Sequence, residues 1–443
     1  MRTVPLLMIA ATSVFGQDAL SLPDAVAAAL AGHPSLAAAS ARVRGAEARV
    51  EEARGGWLPH LNYQESWQRS NNPVFVFGAL LTQHQFSEAN FAIGSLNRPD
   101  ALNNFQSLVT ATQTVYDGRQ IRTQVKTAEL GKTMTAEEKR AAEMSVVAGV
   151  VRTYFAAELA RSGLETAREA VKSAEADLER AQNVFTAGMS TEADVLSIRV
   201  HLATMQEQRI RREYDLQVAL AALNEAMGQP LDEIHQLSTP LAALSLVESG
   251  GEFETKAAVE RPEVRQAGLA MQMAETGVSG AKGALLPRVG VRAAFEADRQ
   301  RFVNRGGANW FAGAFVEWNL FDGNSNRARI REASELLAAA RKQQEQLDRG
   351  VRLQVRKAWA DYHSARQRVD VTDAVIRAAE EGLRIVKNRY ENGLTPVTEL
   401  LRSETAMLDA RTHRLNALYD VRISAVGLYQ AAGILTGDSD VLK

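Results

Sequence analysis

The chain has 443 residues, with 51 Lys and Arg against 53 Asp and Glu and a formal net charge of −2, so no basic footprint argues for nucleic acid. There is no Cys, which suits an exported protein that avoids stray disulfides and suits a cytosolic one equally. Alanine is frequent and Pro scarce, a composition that favours long helices able to approach each other closely.

Met1-Arg2-Thr3 is a short positive start, Val4 to Val14 is apolar, and Val14 and Gly16 put small or aliphatic residues before Gln17. This reads as a secretory signal peptide over 1–16. With no Cys after that leader, lipid attachment at a mature N-terminus is not expected, and no later run reaches the roughly 18 to 20 apolar residues of a spanning helix. A short helix over Asp24 to Leu30 follows Pro23 and ends near Gly32. Pro34 then opens a helix, 35–57, that Gly55-Gly56 and Pro59 stop.

Leu61, Tyr63 and Trp67 alternate with polar residues at the period of a strand, as do Leu108, Thr110, Thr112, Thr114 and Tyr116 on the return. Between them Asn71 to Asn104 reads as a long loop with an apolar patch, Pro73 to Phe77, best explained by packing of that loop. Helical patterning resumes after Asp117-Gly118 and does not break until Gly188, giving helices 119–184 and 192–226. Leu164, Val171, Leu178 and Phe185 recur every seven residues with Ala167, Ala174 and Ala181 beside them, the seam of a supercoiled pair with close approach.

The chain then repeats itself. Phe185 to Leu196 and Tyr390 to Leu401 share a turn 205 residues apart (390 − 185). At that offset Asp117-Gly118 falls on Asp322-Gly323, Arg122 on Arg327, Glu175 on Glu380, Leu178 on Leu383, Asn183 on Asn388, Tyr214-Asp215 on Tyr419-Asp420 and Gly228 on Gly433. Nearer the N-terminus the offset is 228: Pro34 meets Pro262, Glu47 meets Glu275 and Leu58-Pro59 meets Leu286-Pro287. The difference of 23 (228 − 205) is extra sequence between Pro59 and Tyr116. The chain is a tandem duplication: a first repeat over 17–239, a second over 240–437 and a tail at 438–443. The second repeat supplies helix 263–285, a strand hairpin over 287–321 turning at Arg305-Gly306-Gly307, and helices 324–389 and 397–431. Val289, Val291, Ala293 and Phe295 alternate on its first strand, and Trp310, Ala312, Ala314, Val316, Trp318 and Leu320 on the return.

Helix 119–184 would be about 99 Å long, and helices 192–226 and 35–57 placed end to end about 87 Å, so each half reads as one long helix paired with two shorter ones. Strands of about ten residues with aromatics towards their ends fit a membrane barrel. Four strands cannot close one, and an open edge is not viable in lipid. Copies must therefore pool strands. Three chains give twelve, whereas eight from two chains would leave a lumen filled with side chains.

The opening Leu22-x-x-Ala25-x-x-x-Ala29-Leu30-x-x-x-Pro34, the run Trp318-Asn319-Leu320-Phe321-Asp322-Gly323 and the turns Gly188 to Leu196 and Gly393 to Leu401 together resemble the TolC-type outer-membrane efflux proteins, over essentially the whole mature chain. The resemblance implies a mainly α fold with a small β part. By that resemblance, long antiparallel coiled-coil helices would form an α-barrel tunnel, joined to a trimeric twelve-stranded transmembrane β-barrel with four strands per chain. It also implies a homotrimer in outer-membrane lipid, acting as exit duct for an efflux or type I secretion system. Its partners would be a periplasmic adaptor protein and an inner-membrane pump.

By the same resemblance the turns contact the adaptor, through Gly188, Met189, Ser190, Gly393, Leu394 and Thr395, although glycine there also serves simply to make the turn. Related proteins carry two acidic gate residues three positions apart in the second repeat. Here those positions are Glu399 and Arg402, with Asp194 the first-repeat counterpart of Glu399 and Glu404 at another helical angle. A double acidic ring is thus in doubt, and an Arg402–Glu399 pairing within or between chains is the alternative; a ring at a constriction would select and gate.

No H-E-x-x-H, G-x-x-x-x-G-K-[ST], G-x-S-x-G or C-x-x-C occurs, and the seven histidines show no ligand spacing, so neither enzyme, cofactor nor metal is expected. A periplasmic coiled-coil adaptor or scaffold would share the leader and heptads, but would lack paired amphipathic strands recurring in both halves.

Overall fold

The computed structural model describes residues 19–303 and 306–442. The leader at 1–16, Arg305 of the second hairpin turn and the last residue of the tail lie outside the described residues. Helices α1 (Leu22–Gly32), α2 (Pro34–Gly55), α3 (Pro73–Thr82), α4 (Ile93–Asn97), α5 (Gln120–Thr186), α6 (Glu192–Met227), α7 (Gly250–Glu260), α8 (Pro262–Gly283), α9 (Ser325–Glu391) and α10 (Val397–Ala431) alternate with strands β1 (His60–Ser70), β2 (Leu102–Tyr116), β3 (Arg288–Arg299) and β4 (Gly307–Glu317).

The two halves repeat in their elements as well as their residues. Adding 228 to the bounds of α1 and α2 gives those of α7 and α8, and adding 205 to the bounds of α5 gives those of α9. Local chemistry repeats too. His33 and Arg261 hold the same extended backbone before Pro34 and Pro262, because proline bars the α conformation from the residue it follows. The Asp117 carboxylate accepts from the Ile121 amide at 2.5 Å to start α5, and the Asp322 carboxylate accepts from the Asn326 amide at 2.8 Å to start α9. Gly228 and Gly433 end α6 and α10 at φ 74° each. A Cβ on Gly433 would lie 2.5 Å from the Arg261 Cα, so close approach and left-handed backbone both require glycine.

The chain divides into two compact units. The first holds residues up to Ala41, Ala136–Gln266 and residues from Glu345 on. Its main core sets Val150, Val151, Tyr154 and Phe155 of α5 against Leu22, Val26 and Ala29 of α1, Leu223 and Met227 of α6, Tyr362 and Val369 of α9 and Leu418 and Val421 of α10. Polar tips of buried aromatics pin the linking segments. Tyr154 Oη donates to the Leu20 carbonyl and accepts from the Thr239 amide, each at 2.9 Å. Tyr362 Oη accepts from the Leu246 amide at 2.8 Å and donates to the Leu244 carbonyl at 3.1 Å.

The second unit, Arg42–Thr135 and Ala267–Gln344, carries one antiparallel sheet in the order β1-β2-β3-β4. The register aligns Tyr63, Val109, Phe295 and Trp310 across it, and Leu61, Ala111, Ala293 and Ala312 likewise. The rows between, Asn62–Thr110–Ala294–Phe311 and His60–Thr112–Arg292–Gly313, lie on the other face and are more polar. Side chains alternate across a pleated strand, so the sheet has one apolar and one more polar face. Among the described residues no helix is long and apolar enough to cross a membrane.

Two readings of the sequence need correction, and one helix went unread. The stretch between β1 and β2 is not a plain loop: it folds as α3, a 3-10 turn at Glu88–Phe91 and α4. The Asn72 side chain accepts from the Val74 and Phe75 amides at 3.0 and 3.3 Å and Pro73 stands in the first turn, so the α3 start is chemically specified. Val76 and Ala79 then bury against Leu102. β4 ends at Glu317, leaving Trp318 and Leu320 past the strand, where Trp318 Nε1 donates to the Leu285 carbonyl at 3.1 Å. Gly250–Glu260 is a helix, the counterpart of α1, capped by Ser249 and Glu252.

Candidate functional site

Two tight turns join α5 to α6 and α9 to α10. In the first, the Gly188 amide donates to Phe185 at 2.8 Å and the Met189 amide reaches back to Val184 at 3.0 Å. In the second, the Gly393 amide donates to Tyr390 at 3.0 Å and Leu394 to Arg389 at 2.9 Å. These bonds satisfy carbonyls that a helix end leaves unpaired, provided one residue turns left-handed. Gly188 and Gly393 do so, at φ 76° and 68°. A Cβ on either would meet nothing within 4 Å, so backbone conformation alone selects glycine and the surface around both is open. Met189 and Leu394 project from the turns, 75% and 67% exposed, while Ser190 and Thr395 are half-buried.

The two turns belong to one assembly. Ala181 of α5, Val195 and Ile198 of α6 and Val397 of α10 form a buried cluster with Leu178, Tyr390 and Leu401 around it. The expected contact residues of both turns are therefore brought to one end of the first unit.

The three expected gate residues behave differently. Asp194 is half-buried and closes a capping box: its carboxylate accepts from Ser190 Oγ, Thr191 Oγ1 and the Thr191 amide at 3.0, 2.9 and 3.2 Å, while its own amide donates to Thr191 Oγ1 at 3.2 Å. Partial burial pushes its pKa up, but the Thr191 and Ser190 hydrogen bonds outweigh this and hold it below the usual Asp value. Its charge already stabilises a helix start. Glu399 has no such role, because Pro396 at the α10 start offers no side-chain cap. It pairs with Arg402 at 2.8 Å within the chain, both side chains well exposed, 43% and 74%. Burial, then the charges of Asp194 and Asp177, raise the pKa of the half-buried Tyr390 phenol.

One cluster behind the turns escaped sequence reasoning. Asp177 of α5, His201 of α6, Lys387 of α9 and Glu404 of α10 converge, Asp177 with a side chain only 1% exposed. Nothing in the repeat marks it, since Asp177 aligns with Gly382 and Glu404 with Arg199 at the 205-residue offset. Among the described residues no group of three or more His, Asp or Glu side chains is placed to hold a metal ion.

The family model described as outer membrane efflux protein matches residues 25–229 and 255–434, one block in each half of the duplication. The chain belongs to the outer membrane efflux protein family. It is an outer-membrane exit channel for efflux. The outer membrane efflux protein BepC of Brucella suis is 24% identical over 98% of this chain and 90% of BepC. The pyoverdine export outer membrane protein OpmQ of Pseudomonas aeruginosa is 24% identical over 91% of this chain and 83% of OpmQ. The solved structure of the outer membrane protein VceC from Vibrio cholerae shares the fold, with a TM-score of 0.75 and 18% identity over 93% of this chain and 96% of VceC. The family is one of channel proteins, working with other efflux components.

Proposed function

We propose that the efflux channel is a homotrimer whose three four-stranded sheets close one twelve-stranded barrel (3 × 4) in outer-membrane lipid. It hands cargo outward from a periplasmic adaptor and an inner-membrane pump. The observation that carries this reading is the sheet itself: β1 and β4 are its outer strands, each with one unpaired edge, and bear the exposed aromatics Tyr63, Trp67 and Trp310. Unpaired edges in hydrocarbon cost several kcal/mol per group, so pairing of β4 with β1 of the next copy is required.

The helices support the same assembly. α6 exposes Leu196, Val200, Ala203, Ile210 and Tyr214, and α9 exposes Val371, Val375, Ala378, Gly382 and Ile385, both at the three- and four-residue spacing of one helix face. Among the described residues no helix covers either stripe, and a neighbouring copy laid alongside would bury them together.

The adaptor seats on the turns, through Gly188, Met189, Ser190, Gly393, Leu394 and Thr395. The mouth is lined by Glu399 with Arg402, and Asp194 keeps the first turn rigid beside them.

Light scattering on the detergent-extracted outer-membrane fraction tests the assembly. A particle of three chains is expected. A monomer recovered from the periplasm without detergent would sink the barrel and its pooled strands together.

A further inference from the structure

The segment between β1 and β2 and the turn between β3 and β4 lie at the same end of the sheet. There α3 touches β2, β3 and β4. A Cβ on Gly307 would collide with the Thr82 carbonyl, and Asn309 Nδ2 donates to that carbonyl at 3.2 Å, so the end of α3 sits hard against the start of β4. The helix stops at His84, which holds a left-handed backbone (φ 56°) that glycine takes up more readily.

Buried oxygens at this place outnumber the hydrogens offered to them. Gln83 is 2% exposed, and both hydrogens of its amide are spent: Nε2 donates to the Asn103 carbonyl at 2.9 Å and to Asn104 Oδ1 at 2.8 Å. Asn104 Nδ2 donates in turn to Oδ1 of Asp298, a residue 0% exposed, at 2.5 Å. Gln83 Oε1 and Asp298 Oδ2 are left buried without a hydrogen-bond donor. Among the described residues Asp298 forms no ion pair, and the adjacent Arg299 stands on the other face of β3, held by Glu65 and Ser107 at 2.7 Å each. Glu296, half-buried, shares the face of Asp298 and adds a second negative charge.

A carboxylate taken out of water is stable only when a positive group pairs with it or a metal ion binds it. A carboxamide oxygen facing no donor asks for the same partner, and oxygen donors suit hard cations.

We propose that Gln83 and Asp298, with the Glu296 carboxylate beside them, form a site for a hard divalent cation, calcium in preference to magnesium, that fastens α3 to the ends of β2 and β3. Asp298 Oδ2 and Gln83 Oε1 are direct ligands, Glu296 balances the remaining charge, and water completes a shell of roughly six to eight oxygens. Asn104 is a positioning residue: it occupies the Gln83 amide and one Asp298 oxygen, and so leaves the other oxygen of each for the ion. Calcium tolerates so irregular a set, whereas magnesium demands a regular octahedron and sheds its water reluctantly.

The test uses the detergent-solubilised protein stripped of lipid phosphates, which bind calcium themselves, and treated with EDTA. Calorimetry follows calcium chloride titrated in, and amide exchange follows residues 73–86. Calcium should bind once per chain and, at a hundred times its dissociation constant, slow exchange there about a hundredfold. Magnesium should match it only at higher concentration. Asp298→Asn should weaken calcium binding at least about tenfold, because affinity follows ligand charge. Exchange in the calcium-free Asp298→Asn protein should be no faster than in the calcium-free parent, since the unpaired charge has gone. Gln83→Met, which keeps the length of the side chain and removes its oxygen, should also weaken binding, whereas Asp100→Asn, an exposed acid of the same segment, should not. A parent protein indifferent to calcium would overturn the site and leave both oxygens to water. Protection that follows pH and ignores calcium would replace the ion by a proton shared between Asp298 and Glu296. Binding undiminished in both Asp298→Asn and Gln83→Met would put the cation elsewhere and sink the proposal.

Discussion

The two tip turns share one backbone and differ in what holds it. Both reverse the chain through a left-handed glycine and the same pair of amide bonds. The first then locks its outgoing helix with Thr191 and Asp194, whereas the second starts on Pro396 without a side-chain cap and leaves Glu399 to an exposed partner. Duplication has kept the geometry that φ dictates and released the chemistry that it does not. A rigid acidic turn and a looser, adjustable one therefore stand side by side around a single apolar cluster.

The shared glycine carries the largest expected effect. Gly188→Val or Gly393→Val forces a β-branched residue into left-handed backbone, at about 1–3 kcal/mol of strain. Export should be lost in both variants while the protein still assembles in the outer membrane. Transport assays beside extraction yields check this, and normal export from either variant would remove the turns from the partner surface.

Capping should separate the turns. Thr191→Ala is expected to destabilise the start of α6 by about 0.5–2 kcal/mol, seen as faster amide exchange over residues 192–198. Pro396→Ser should leave exchange over residues 397–403 unchanged or slower, because it adds a cap where none exists. Equal losses in the two variants would erase the distinction.

Acid should act on the first turn alone. The Asp194 pKa lies below its ordinary value, so its contribution is present above pH 3.8 and lost as pH falls through the depressed value. Exchange protection at the α6 start should drop below that pH while the α10 start is unaffected. The smallest effect belongs to Arg402 and Glu399. A double-mutant cycle should return no more than about 0.5 kcal/mol, as solvent-exposed helix pairs do.

How much the sequence disclosed follows from how often each signal recurs. Leu164, Val171, Leu178 and Phe185 repeat a period that helical geometry imposes over many turns, and the second copy repeats it again, so long helices were plain. Helix α3 was hidden because Pro73-Val74-Phe75-Val76-Phe77 is apolar on every side and has no period, although Asn72-Pro73 is a helix start that could have been read. Thr191-x-x-Asp194 likewise spells a capping box, and reading Asp194 only as a mouth charge missed its local work. The pairs Asp177–Lys387 and His201–Glu404 join helices far apart in the chain that neither repeat register pairs, so only the folded chain could reveal them.

The sheet order has one further consequence. The two halves of the chain meet at the β2–β3 pair, a junction of the same kind as the proposed β4-to-β1 joint between copies. A chain of half the length would bring one hairpin and would need six independent arrivals to complete the ring. Linking two halves covalently turns every second joint into an encounter at the effective concentration of a tether, on the order of millimolar for a short one. It also breaks the equivalence of neighbours. Around the mouth, capped and uncapped turns would alternate, giving an incoming adaptor two kinds of seat where an unduplicated ring would offer only one.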